Sequence, residues 1–258
     1  MVAEAPTSAV ARAAAVLMAL SRERSGRSEL SVSEVASAIG RERSQVSRML
    51  KTLASVGFVE QDPETRSYRL GWQLHLLVGS ASDERLVSLG RHVLRALVAE
   101  TGESTLLSVL QQNTSFTILK ERSQHSLQAG GWAGRTSPLH VTASGRALLF
   151  DSDPTMVKNL VANHLGTPGY GPGAPRTMDE VLRRLAEERR RGYTAAVEEL
   201  EVGLVAVGAP IRNGDGRIVA SLNVSGPTTR LMGDLPRVGA LTQAAAQRLS
   251  LALARRSK

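Results

Sequence analysis

The chain has 258 residues, a formal net charge of +8 from 32 Lys+Arg against 24 Asp+Glu, 42% hydrophobic residues and no cysteine. That length suits one large or two small domains with an ample core, and the composition is that of a globular protein, not a disordered or fibrous one. The missing cysteines exclude disulfides, thiolate zinc sites and thiol nucleophiles, while the arginine-dominated charge fits coding bias as well as it fits nucleic-acid binding.

The opening stretch MVAEAPTSAVARAAAVLMAL has no basic leader and is interrupted by Arg12, so it does not read as a secretory signal. No apolar run approaches the roughly 20 residues of a membrane-spanning helix, and the expected location is cytoplasmic with no membrane partner. Residues 8–23 place Val10, Ala13, Ala14, Leu17 and Leu20 at helical spacing, with Ser8 as a cap. Ser31 and Glu34 form the S-x-x-E pattern that opens a second helix over 32–39, which Gly40 closes. A third helix over 44–56 carries Val46, Met49, Leu50 and Leu53 on one face. FVEQ and SYRL then read as strands around the turn DPET.

From Leu70 the pattern turns helical, LGWQLHLLVGSA and then VSLGRHVLRALVAETG, stopping at Gly102. STLLSVLQQ and FTILKERS read as a hairpin; TASGRALLF, TMVKNLVANHL and MDEVLRRLAEERRRG read as helices, the last opened by the Thr177–Glu180 capping box. GTPGYGPGAP (166–175) is a loop between them. YTAAV, GLVAVGAPIR and RIVASLNVSG are strands, the latter two joined by Asn213-Gly214-Asp215-Gly216, and a helix over 234–255 closes a mixed α+β domain.

The N-terminal segment has the features of two helices crossing at a tight turn. Ala36 is small where the backbones approach, Gly40 turns the chain, and Val46 points back. At about 100° per residue, Val46, Leu50 and Leu53 fall on one side of the third helix, opposite Ser44, Arg48, Lys51 and Ser55 and flanked by Gln45 and Thr52. Between 41 and 51 the cations Arg41, Arg43, Arg48 and Lys51 face only Glu42. Hydroxyls, an amide and cations on a helix of this width suit phosphates and base edges in a major groove. The candidate DNA contacts are Arg43, Ser44, Gln45, Arg48, Lys51 and Thr52 on this helix and Arg66 at the tip of the following hairpin, which reads either as a wing contact or as an exposed loop arginine.

Other constellations are weaker. The five histidines show no metal pair at helical spacing; His140 reads as structural, and no metal or other cofactor is expected. Glu198, Glu199 and Glu201 read as a solvated or subunit-facing edge, and RRLAEERRRG as a salt-bridged exterior. No nucleophile elbow or phosphate-binding loop occurs. Two functions from different classes follow: a ligand-responsive, sequence-specific DNA-binding regulator, or a small-molecule-processing enzyme with an N-terminal interaction module. The missing acid, base and nucleophile set weighs against the enzyme.

The winged helix–turn–helix, followed by YRLG (68–71), SPLHVTASGRALL (137–149), GYTAAVEELEVGLVAVGAPI (192–211) and VSGPTTRL (224–231), resembles the IclR family of bacterial transcription regulators over roughly residues 8–255. The resemblance implies a DNA-binding domain over 8–70, a linker helix over 71–82 and a GAF-like α+β effector-binding and oligomerisation domain over 83–258. It further implies a homodimer or homotetramer on a pseudo-palindromic, double-stranded operator and a small-molecule effector. Family pocket positions fall on Ala143, Ser144, Ala196, Leu204, Ala206, Asn223 and Ser225. Trp132 reads as closing that pocket, as core or as a subunit contact. Three departures stand out: Arg146 where lysine is commoner, taken as minor; Ser47 where histidine or arginine is frequent; and Ala196 where some members have an acid.

Overall fold

A computed structural model describes residues 8–21, 29–71, 73–74, 84–126 and 133–255, and the chain divides into two units, Met1–Asp83 and Glu84–Lys258. The linker helix expected over 71–82 lies, apart from residues 71, 73 and 74, outside the described residues, as does Trp132.

In the first unit, α1 (Ala9–Leu20) begins at Ser8, whose hydroxyl accepts from the Ala11 N–H at 3.0 Å. α2 (Val32–Ile39) carries the anticipated capping box, with the Ser31 N–H donating to Glu34 Oε2 at 2.7 Å and the Glu34 N–H to Ser31 Oγ at 3.3 Å. Gly40 turns the chain at φ 65°, a left-handed conformation that a side chain would strain, and α3 (Arg43–Ser55) follows. The crossing buries Ala36, Val46, Leu50 and Leu53 in one aliphatic core with Val16, Leu20 and Val35. β1 (Val59–Gln61) and β2 (Tyr68–Leu70) pair antiparallel. Between them the Asp62 carboxylate accepts from the Thr65 and Glu64 N–H groups at 2.7 and 2.8 Å, which holds its pKa below the usual carboxylate range. Leu30 exchanges two backbone hydrogen bonds with Tyr68, a one-residue bridge that no periodicity announces.

The second unit opens with α4 (Glu84–Thr101), then β3 (Ser104–Gln111), β4 (Thr114–Glu121), β5 (Thr136–Pro138), α5 (Ala143–Leu148), α6 (Pro154–Val161) and α7 (Met178–Arg191). β6 (Thr194–Val197), β7 (Leu204–Arg212), β8 (Ile218–Pro227), α8 (Thr228–Leu231), a 3-10 turn at Met232–Asp234 and α9 (Leu235–Ala254) complete it. Six strands form an antiparallel sheet in the order β5-β4-β3-β8-β7-β6. This is the expected α+β class, a winged helix–turn–helix unit and a GAF-like unit. β5, α8 and the 3-10 turn are not anticipated by the sequence. β5 is three residues long, and its Pro138 lacks an N–H, which suits the sheet edge it occupies.

The alternation in Ser221-Leu222-Asn223-Val224-Ser225 gives the sheet two unlike faces. Leu222 and Val224 join Val205, Val207, Leu107, Leu94, Val238 and Leu249 in the core beneath α4 and α9. Each such side chain contributes roughly 1.5–3 kcal/mol on burial, so a one-residue slip would be opposed by several at once, and Asn223 and Ser225 are held on the other face. On that face α5 approaches β7 closely: a Cβ on Gly208 would lie 2.7 Å from the Ala143 carbonyl oxygen.

Candidate functional site

Two sites emerge, one in each unit. In the first, burial of Val46, Leu50 and Leu53 fixes the rotation of α3, and Arg43, Ser44, Gln45, Arg48, Lys51 and Thr52 all stand exposed on it. Arg43, Arg48 and Lys51 form no ion pair among the described residues, so their charge is available to a partner. Thr52 Oγ1 donates to the Arg48 carbonyl at 3.1 Å and Ser55 Oγ to the Thr52 carbonyl at 2.8 Å. These hydroxyls therefore turn their protons into the helix and offer lone pairs outward. Arg66 is exposed at the hairpin tip with a left-handed φ of 59°. Arg12 of α1 joins Gln45, Arg48, Met49 and Thr52 around a shallow depression. Sequence reading missed Arg12 because it was assigned only to interrupting an apolar run.

In the second unit, the seven pocket positions implied by the resemblance, Ala143, Ser144, Ala196, Leu204, Ala206, Asn223 and Ser225, line one cavity of about 370 Å³. Leu106, Ser108, Thr117, Val141, Tyr170 and Leu200 complete much of its wall, with Arg135 and Glu201 exposed at its edge. Tyr170 comes from the Gly/Pro loop, which the sequence left without a role. Thr142 caps α5 through the Gly145 N–H at 3.2 Å and donates to the Pro138 carbonyl at 2.6 Å. Ser144 Oγ accepts from Ser115 Oγ at 3.2 Å, and Ser108 and Thr117 hydroxyls pair at 3.3 Å.

Behind the cavity wall the structure corrects three sequence expectations. Glu199 is buried, not part of a solvated edge, whereas Glu201 is exposed as expected. Glu188 of α7 is also buried, so that helix is a salt-bridged exterior only on its outer side, at the Arg183–Glu187 pair. Arg146 joins both acids: Nε and Nη2 donate to the Glu188 carboxylate at 2.8 Å each, Nη2 and Nη1 donate to Glu199, and the His140 and Ala195 carbonyls accept at 2.8 and 2.9 Å. Arg184 adds a second cation to Glu199 at 2.8 Å. Burial pushes the Glu199 carboxyl up, against the pull of Arg146 and Arg184. Arginine in place of lysine at position 146 is therefore not a minor departure, because an ammonium's three donors could not serve two carboxylates and two carbonyls together.

His140 is fully buried, as a structural histidine should be, with its ring edge-on to Tyr170 at 5.4 Å between centroids. Burial, with the charges of His164 and Arg146, pulls its pKa down to about 4, so the ring is neutral. Among the described residues no group of three His, Asp or Glu side chains could hold a metal ion. No helix among them is long and apolar enough to cross a membrane.

Comparison with known proteins matches residues 9–63 to the IclR helix-turn-helix domain and residues 79–251 to the bacterial transcriptional regulator IclR C-terminal domain. The HTH-type transcriptional regulator XynR of Escherichia coli is 30% identical over 207 residues, covering 79% of this chain and 81% of that protein. The crystal structure of the Thermotoga maritima IclR is similar in fold, with TM-score 0.74, 22% identity and coverage of 95% of this chain and 98% of that one. So is an IclR homologue from Microbacterium hydrocarbonoxydans solved with 4-hydroxybenzoate, with TM-score 0.77, 23% identity and coverage of 95% and 99%.

Proposed function

This chain belongs to the IclR family and is a DNA-binding transcriptional regulator with a C-terminal effector-binding domain, not an enzyme; from that premise we propose which residues do the work. Arg43, Ser44, Gln45, Arg48, Lys51 and Thr52 of α3 enter the major groove, and Arg66 contacts the backbone or minor groove beside it. The observation that carries this reading is the division of α3: three aliphatic side chains buried on one face, Arg48 and Lys51 without ion pairs among the described residues on the other, and Arg43 exposed in the first turn. Lysine and arginine there release counterions from phosphates, while Gln45 and Arg48 have the paired hydrogen-bonding groups that distinguish one base pair from another.

The cavity lined by Ala143, Ser144, Ala196, Leu204, Ala206, Asn223 and Ser225 is the effector site. Its size and mixture of apolar wall and a few polar groups support that role. The DNA-binding domain spans 8–70, a linker helix 71–82 and the effector-binding and oligomerisation domain 83–258, in a cytoplasmic homodimer or homotetramer on a pseudo-palindromic operator. Effector binding shifts the population between states whose recognition helices match or miss half-sites a helical turn apart.

Fluorescence titration of the purified protein against its own upstream DNA and a scrambled fragment, at two salt concentrations, tests the reading. Preference for the native fragment, with affinity falling as salt rises, supports it. Equal, salt-insensitive binding to both would contradict it.

A further inference from the structure

We infer that the cavity of the second unit takes a small uncharged molecule bearing several hydroxyl groups in preference to an organic anion, an inference that rests on reading this cavity as the effector site. Its polar lining comes largely from one face of the sheet: Ser108, Thr117, Asn223 and Ser225, facing Ser144 of α5. All are neutral. Asn223 is only 7% exposed, lines the cavity, and its Oδ1 has no hydrogen-bond partner among the described residues. A buried amide oxygen left unpaired is a standing cost, which a hydrogen-bond donor on the ligand removes. Burial of Leu222 and Val224 on the opposite face keeps Asn223 aimed this way, so the amide cannot turn to other partners without unpacking the core.

The charge distribution points the same way. Arg146, two residues beyond Ser144 in the lining of α5, directs its guanidinium to Glu188, Glu199 and two carbonyls. With Arg184 on Glu199, the two cations hydrogen-bonded to this pair face two anions, and the third cation of the network, Arg191, stands exposed 3.9 Å from Glu188. The charged side chains in the lining are Arg135 and Glu201, opposite in sign and both exposed. A carboxylate drawn onto the hydroxyl floor would lose water with no buried counter-charge to replace it. Hydroxyl groups would exchange water for Asn223 and the serine and threonine side chains at little cost. The volume of about 370 Å³ holds roughly a dozen water-sized groups, enough for an open-chain sugar alcohol.

Calorimetric titration of the full chain with matched probes that differ in charge tests this: ribitol against ribonate, glycerol against glycerate, and 4-hydroxybenzyl alcohol against 4-hydroxybenzoate. The expected result is tighter binding of the neutral member, by roughly tenfold or more in at least one pair. Asn223→Leu, which keeps side-chain bulk, should weaken that binding by about tenfold. Ser225→Ala, a smaller change, should weaken it by a lesser factor and serves if the leucine variant does not fold. Preference for the carboxylate members, abolished by Arg135→Ala, would overturn the inference while leaving the cavity as an effector site. Binding of neither member, or binding untouched by the cavity-filling Ala206→Leu, would overturn both.

Discussion

α3 and α5 are both short helices with a packed face, yet they use arginine in opposite ways. On α3, Arg43 and Arg48 stand exposed, with no ion pair among the described residues. On α5, Arg146 is fully buried and makes six hydrogen bonds to two carboxylates and two carbonyls. The exposed cations retain their full hydration and charge for a polyanion to displace, so removing one costs binding and little stability. The buried cation has nothing left to offer a ligand, so removing it costs stability first. Charge near a site is thus a guide to function only after its partners are counted.

The largest effect expected from this contrast is that of Arg146→Met. It removes the one buried cation shared by Glu188 and Glu199, leaving them only the more exposed Arg191 and Arg184, and should destabilise the second unit by about 3–5 kcal/mol, read by urea unfolding. Arg146→Lys should recover part of the loss, since it restores the charge but not the fork. A variant as stable as the parent would break the comparison.

The buried titratable group beside this network gives the next largest effect. His140 has an ordinary pKa of 6.5 when unfolded and about 4 when folded. Between those values the unfolded chain binds the extra proton, so stability rises with pH and is lost as pH falls from 6.5 toward 4, at up to about 1.4 kcal/mol per pH unit. His140→Leu should flatten that slope in unfolding curves taken across the window. An unchanged slope would show that the ring is not held neutral.

On α3, Lys51→Ala should leave the unfolding curve unchanged and weaken DNA binding uniformly across sequences. The slope of log affinity against log salt should fall by about one. A loss of thermal stability instead would place Lys51 with Arg146, as part of the packing.

Most of the fold is legible in the sequence because its signals are local. Ser31 with Glu34, Thr177 with Glu180, Gly40 and the alternating residues of β8 each act within a turn or a strand. The Arg146 network is not legible for the complementary reason: its partners lie 42 and 53 residues away, and nothing in Glu198-Glu199-Leu200-Glu201 marks the second acid as the buried one. β5 and the Leu30–Tyr68 bridge are too short to show a period. The α3 face is visible from helical spacing alone, while Arg12 joins it only through the packing of α1. The seven cavity positions were named by resemblance. The loop that adds Tyr170 to them carries a turn composition and no further signal.

The most direct test of the division of α3 is a titration of Arg48→Ala beside the unaltered protein, against the native upstream fragment and a scrambled control at two salt concentrations. The unaltered protein should prefer the native fragment. The variant, folded to the same melting temperature, should lose that preference by roughly 1–3 kcal/mol while keeping weak, salt-sensitive binding to both. A variant that keeps the full preference would show that α3 does not read the operator through this face.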